Sequence, residues 1–159
     1  MNRLLRRIVI AAMVVTVFMG FSINASAAAK TNTEVMDEKM LAKINELRAT
    51  YDLPALNVDA DLVSYAQIRA NEITKKFSHT RPDGTEGLDI IPLSRSYAGE
   101  NLSWHVMDQG IDAAVEGTFK ALVNSPSHLE NMIVPEYTKI GIASIEINGN
   151  MYVAYMFSN

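Results

Sequence analysis

The sequence predicts an α+β domain in which helices come first and a β-hairpin closes the chain. Between Met36 and Phe77 apolar residues recur at steps of three and four, the period of a buried helix face. After Lys139 the period changes: "KIGIASIEI" and "MYVAYMF" are rich in β-branched and aromatic residues and flank "NGN", two strands around a tight turn at Asn148-Gly149. Helices early and strands late imply helices packed on an antiparallel sheet.

Residues 28 to 33 are small and polar and are expected to form a flexible lead-in to a single domain over 34 to 159. A first helix should start at Glu34, with Met36, Met40, Ile44, Leu47 and Tyr51 on its inner stripe. "DLPAL" ends it, because Pro54 disfavours helical geometry at Leu53. Asp59 or Asp61 can cap a second helix, which carries Leu62, Ala66, Ala70, Ile73 and Phe77 inward. Pro82-Asp83-Gly84 is turn chemistry, so His79 falls on the connection leaving that helix. Residues 85 to 98 read as irregular, with a helical turn near Leu88 to Leu93, and "GENLSW" as a tight turn or short extended piece. Two further helices are expected, Ile111 to Val123 with Val115, Phe119 and Leu122 inward, and Ser127 to Ile133, capped by Ser125 or Ser127.

Residues 1 to 27 have the layout of a secretory signal peptide: Arg3, Arg6 and Arg7, an apolar run from Ile8 to Ile23, then Ala25-Ser26-Ala27 as the cleavage pattern. Cleavage after Ala27 would leave a secreted chain without a stable membrane span, either extracellular or held at the cell envelope. All 18 acidic residues follow that point, so loss of the three arginines makes the chain three charges more negative than its formal −4. Nucleic acid is an unsuitable partner, since phosphate binding needs clustered Lys and Arg and the longest basic cluster left is Lys75-Lys76. With no cysteine, the exported domain must rely on packing and not on disulfides. It is expected to be a monomer.

The chemistry-bearing residues are few. Of three histidines, His79 and His128 lie in polar, turn-rich stretches that also hold Ser and Asn. Glu100, in "GEN", could act as metal ligand, hydrogen-bond orienter or general base, or could simply hold its loop. A nucleophile is poorly supported: there is no cysteine and no Gly-x-Ser-x-Gly elbow, and Ser78, Ser125 and Ser127 are explained as turn and cap residues. His-Glu-x-x-His spacing and phosphate-binding glycine loops are absent too.

Taken in order, "FSHTRPDG", "GENL", "LVNSPSHLENMI" and "YTKIGIA" resemble the CAP superfamily, the SCP-like group of cysteine-rich secretory, antigen 5 and pathogenesis-related 1 domains, and within it the cysteine-free bacterial branch. "INELRATYDLPAL" is similar to the first helix of that branch. The resemblance covers roughly residues 36 to 157. It implies an α-β-α sandwich, a central antiparallel sheet between helical layers, and an open cleft lined by two His and two Glu, of which His79, Glu100 and His128 match by motif. The fourth position departs: near Asn124 or Ser125 nothing is acidic, and Glu116 lies about two helical turns earlier. Tyr155 departs as well, where bacterial relatives often carry Gln.

In some members such a cleft binds zinc or another divalent cation, and others take lipids in separate grooves. The resemblance thus implies three readings. The leading one is a secreted, non-enzymatic protein that binds an extracellular ligand or cell-envelope component, whether glycan, lipid or partner protein, with Trp104 either shaping a ligand groove or packing on the sheet. The second is a metal-assisted hydrolase holding Zn²⁺ or another divalent cation on His79, His128 and Glu100, with catalytic residues not yet assignable. The third makes the His/Glu group a structural network.

Overall fold

The structure, a computed structural model, describes residues 29–159; the expected signal segment, 1 to 27, lies outside them. Helix α1 (Asn32–Thr50) begins two residues earlier than expected, inside the 28 to 33 lead-in. Thr31 and Glu34 form a capping box there, each side chain accepting from the other's backbone N–H. Met36, Met40 and Ile44 are buried as expected, but the next turn buries Arg48, and Tyr51 falls on the exposed C-cap. The stripe turns with the 3.6-residue period, and position 48 is closer to the inner face than 51.

Strand β1 (Asn57–Val58) follows, then helix α2 (Ala60–Ile73), whose N-cap Asp59 accepts from Leu62 N–H at 3.0 Å. Leu62, Ala66, Ala70 and Ile73 are buried, with Arg69 among them. Phe77 is not part of this face: the helix stops at Ile73, so the period no longer applies, and the ring is exposed. A 3-10 turn at Gly87–Ile90 leads to β2 (Ala98–Val106), α3 (Ile111–Val123), α4 (Pro126–Met132), β3 (Lys139–Ile147) and β4 (Asn150–Ser158). Val115 and Leu122 of α3 are buried; Phe119 is partly so, with Lys43 Nζ 5.3 Å over its ring. Ser125 occupies the N-cap position of α4, where Pro126 starts the helix, but its side chain makes no capping bond.

The sheet order is β1-β3-β4-β2. The β3-β4 hairpin turns at Asn148 and Gly149, both at positive φ (51° and 73°), as a two-residue turn matching the strand twist requires. β2 pairs antiparallel with β4 along its whole length, so "GENLSW" takes the extended alternative and not the turn, inside a strand of nine residues. β1 runs parallel to β3 for two residues, which makes the sheet mixed, not wholly antiparallel. Side chains alternate between faces. Ile140, Ile142, Val153, Tyr155 and Phe157 pack with α1, α3 and α4, while Leu102, Ala143, Ala154 and Met156 pack with α2. The three layers are those of an α-β-α sandwich.

Arg48 ties the first layer together. Its Nε donates to Pro54 O (2.9 Å), Nη1 to Met132 O (3.0 Å) and Val134 O (2.9 Å), and Nη2 to Tyr137 O (3.1 Å). The guanidinium thus fixes the segment between α4 and β3 to α1, with no carboxylate involved. Among the described residues no helix is long and apolar enough to cross a membrane.

Candidate functional site

β2 directs Glu100 toward the α2 layer, one residue before Asn101 points to the other face. The Glu100 side chain is only 2% exposed, and both of its oxygens are taken. Arg69 Nε donates to Oε2 at 2.6 Å and Arg69 Nη2 to Oε1 at 3.3 Å, while His79 Nδ1 lies 2.7 Å from Oε1. Arg69 also pairs with Glu72 and donates to the carbonyl of Ser78 at 2.8 Å, which holds the "FSH" segment in place. Arg81, just past His79, closes the network on Glu72 at 2.9 Å. Below it, Arg81 and Thr85 bracket the expected Pro82-Asp83-Gly84 turn, with Gly84 at φ 90°.

On the other side of β2, Asn131 of α4 donates to Glu100 O at 3.1 Å and to Asn101 Oδ1 at 2.9 Å, and Asn101 Nδ2 donates to His128 O at 2.9 Å. This clamp sets α4, and so His128, beside the strand. A pocket of about 290 Å³ opens next to Glu100, with His79, Glu86 and Asn131 in its lining.

The two imidazoles are shifted in opposite directions. The bond to Glu100 raises the His79 pKa above its ordinary 6.5, and burial lowers that of His128, with repulsion from His79 adding to the effect. By linkage, the stability that His79 contributes is complete below 6.5 and lost as pH rises through its raised pKa. That of His128 is complete above 6.5 and lost as pH falls through its lowered pKa. Imidazole NMR titration should therefore find His79 still protonated at a pH where His128 is neutral; coincident titration would refute the arrangement.

Glu100 is not a free ligand for a divalent cation. Arg69 already supplies the positive charge that a metal would bring to Glu100, and it occupies both carboxylate oxygens. Among the described residues no group of three or more His, Asp or Glu is arranged to hold a metal ion. What the site can do is present the exposed ring of His79, 58% accessible and oriented through Nδ1, to a molecule in the pocket.

Of the residues singled out by sequence, the structure brings His79 and Glu100 into contact and places His128 within their electrostatic reach. It does not bring Glu116 there: that carboxylate is exposed on α3 and pairs with Lys43 at 2.6 Å. Trp104 lies on the Glu100 face of β2, four residues and about 13 Å further along the strand. It is 52% exposed and neither packs into the core nor lines the Glu100 pocket. It borders a separate groove of about 400 Å³ with Phe77, Tyr152 and Lys75. Tyr155 is fully buried, its hydroxyl 3.3 Å from Ser103 Oγ, in the opposite layer.

Sequence reading missed Arg69, Glu72, Arg81 and Asn131. Arg69 had a visible signal: it stands on the stripe with Leu62, Ala66 and Ile73, where a charge needs a buried partner. Gly87 is a further fixed point. A Cβ there would lie 2.5 Å from Glu100 Oε2, so Gly87→Ala should displace the carboxylate from Arg69 and cost about 1–3 kcal/mol by overpacking. An unchanged urea midpoint would show that the loop yields instead.

The sequence profile described as "CAP: Cysteine-rich secretory protein family" matches residues 41–158. Protein YkwD of Bacillus subtilis (strain 168) is 26% identical over 128 residues, 77% of this chain and 48% of that protein. The chain therefore spans about half the length of that curated relative. Among solved structures, an outer surface protein from Borrelia burgdorferi superposes with a TM-score of 0.67 at 23% identity, covering 82% of this chain and 97% of that one. An extracellular protein containing an SCP domain from Bacillus anthracis str. Ames gives 0.64 at 20% identity, covering 80% of this chain and 41% of that one. At these identities the two structures speak for the fold, and the profile, which spans most of the chain, for descent: the chain belongs to the CAP, or cysteine-rich secretory protein, family.

Proposed function

We propose that this chain is a secreted, non-enzymatic CAP-domain protein that binds a polar cell-envelope ligand, a glycan, in the pocket between His79, Glu100 and Asn131. The observation that carries this reading is the internal saturation of Glu100 by Arg69 and His79. A carboxylate so paired is neither a free general base nor an available metal ligand, whereas the exposed imidazole it orients is ready to hydrogen-bond. His79, Glu86 and Asn131 in its lining offer polar partners for a hydroxyl-rich ligand. Export is supported by the signal-like first 27 residues and by relatives described as outer surface and extracellular proteins.

Soluble cell-wall glycan fragments titrated into isotope-labelled protein test the reading. Saturable shifts are expected at the His79 ring and the Asn131 amide, with affinity about tenfold or more lower in His79→Ala, the equivalent of about 1.4 kcal/mol. Binding left intact by His79→Ala would defeat the proposal. So would chelator-sensitive turnover of the fragments, lost in both His79→Ala and His128→Ala, because it would establish the hydrolase in its place.

A further inference from the structure

On the edge of the sheet opposite to β2, strand β1 stops after two residues and leaves β3 uncovered beyond Ile140. A pocket of about 200 Å³ opens there, walled by Leu41 of α1, Val58 of β1, Val63 of α2, and Ile140 and Ile142 of β3. One turn before Leu41, Asp37 places a carboxylate against these apolar walls. Its Oδ1 is enclosed and has no hydrogen-bond partner. The cations nearby in sequence are engaged elsewhere, Lys30 with Glu38 at the pocket rim and Lys39 with Asp112. Asp37 itself takes part in none of the ion pairs among the described residues.

We propose that this pocket binds a small molecule carrying a primary ammonium on an apolar body, the ammonium pairing with the Asp37 carboxylate and the hydrocarbon lying against Leu41, Val58, Val63, Ile140 and Ile142. Charge complementarity selects the occupant. A buried carboxylate without a cation is costly, and a charge-assisted N–H···O bond is the interaction that relieves it most fully. A neutral hydrocarbon would leave the carboxylate without a cation, and an anion would be repelled by Asp37. Burial against these walls raises the Asp37 pKa to about 6, with the neighbouring Ser144 offsetting only part of the effect. The volume corresponds to roughly seven waters at about 30 Å³ each, which sets the ligand at about that many heavy atoms. This site shares no lining residue with the Glu100 pocket and is independent of the function proposed for it.

Hexylammonium, hexanol and hexanoate, one chain with three headgroup charges, are the probes for NMR titration of the protein at pH 8. Hexylammonium is expected to give saturable shifts at the Ile142 and Ser144 amides, with affinity about tenfold or more above that of hexanol, and hexanoate none. Asp37→Asn, which keeps the shape, should reduce hexylammonium to the level of hexanol while melting no lower than the wild type. Val58→Trp, which fills the pocket from its exposed wall, should abolish all shifts. Equal binding of hexanol, unchanged hexylammonium affinity in Asp37→Asn, or no saturable shift in the wild type would each overturn the proposal.

Discussion

Arg69→Met is expected to lower unfolding free energy by about 3–5 kcal/mol, the usual result of breaking a buried ion pair from one side. Arg69 is fully buried at the side chain and meets Glu100 through two nitrogens, and it donates to the Ser78 carbonyl. Methionine fills much of the volume but leaves Glu100 with only the exposed His79 imidazole as a partner. The double variant Arg69→Met/Glu100→Gln removes both charges and should recover a large part of the loss, since it is the stranded charge that costs most. Arg69→Lys should not substitute, because a point charge cannot make both bonds at once. Urea midpoints at unchanged m-value measure these differences. A loss below about 1 kcal/mol for Arg69→Met, the range of an exposed pair, would mean that water already solvates Glu100.

Arg48→Met is expected to cost as much by another route. No charge partner is lost; four backbone carbonyls are, at Pro54, Met132, Val134 and Tyr137. Each buried acceptor left unsatisfied costs about 1–3 kcal/mol, and relaxation of the segment recovers a share, so about 3–5 kcal/mol in total is expected. No second substitution of a carboxylate can rescue it, which separates Arg48 from Arg69 in the same urea experiment. The functional consequence runs through α4. Arg48 holds the residues just after that helix, and Tyr137, whose hydroxyl stands where a Cβ of Gly99 would be, packs beside Asn131. Hydrogen exchange at α4 should therefore rise in Arg48→Met ahead of that in α2. Equal protection in both would contradict this role.

Much of this architecture was legible in sequence, and what was not has physical causes. The hairpin at Asn148-Gly149 was visible because a two-residue turn with both residues at positive φ leaves few choices of residue. The first helices were visible from period alone. Strand β2 was only half visible, as the short extended alternative for "GENLSW", because Gly99, Glu100 and Asn101 have poor strand propensity; its full nine residues are recruited by pairing with β4, a tertiary effect. β1 was hidden for a related reason, being only two residues fixed by β3. Gly99 was expected to allow a tight turn, but it sits in a strand, and what requires it is the close approach of the Tyr137 hydroxyl.

At the site, motif order gave His79, Glu100 and His128, though nothing in their spacing could say which would touch. The role of Arg69 needed coordinates: an arginine on an apolar stripe announces a buried partner without naming it. Glu116 and Trp104 were candidates by sequence proximity, and both are carried away by geometry, one onto the exposed side of α3 and the other about four residues along β2.

The assignment of Glu100 to Arg69, not to a metal, is tested most directly by thermal melting of the protein with Zn²⁺ and then with chelator. A site that bound zinc at 100 times its dissociation constant would gain about 2.7 kcal/mol, a shift of several degrees. The predicted result is no shift in either condition. A zinc-dependent rise in the wild type, lost in His79→Ala/His128→Ala and reversed by chelator, would mean that Glu100 exchanges Arg69 for a metal, and it would contradict the cleft described here.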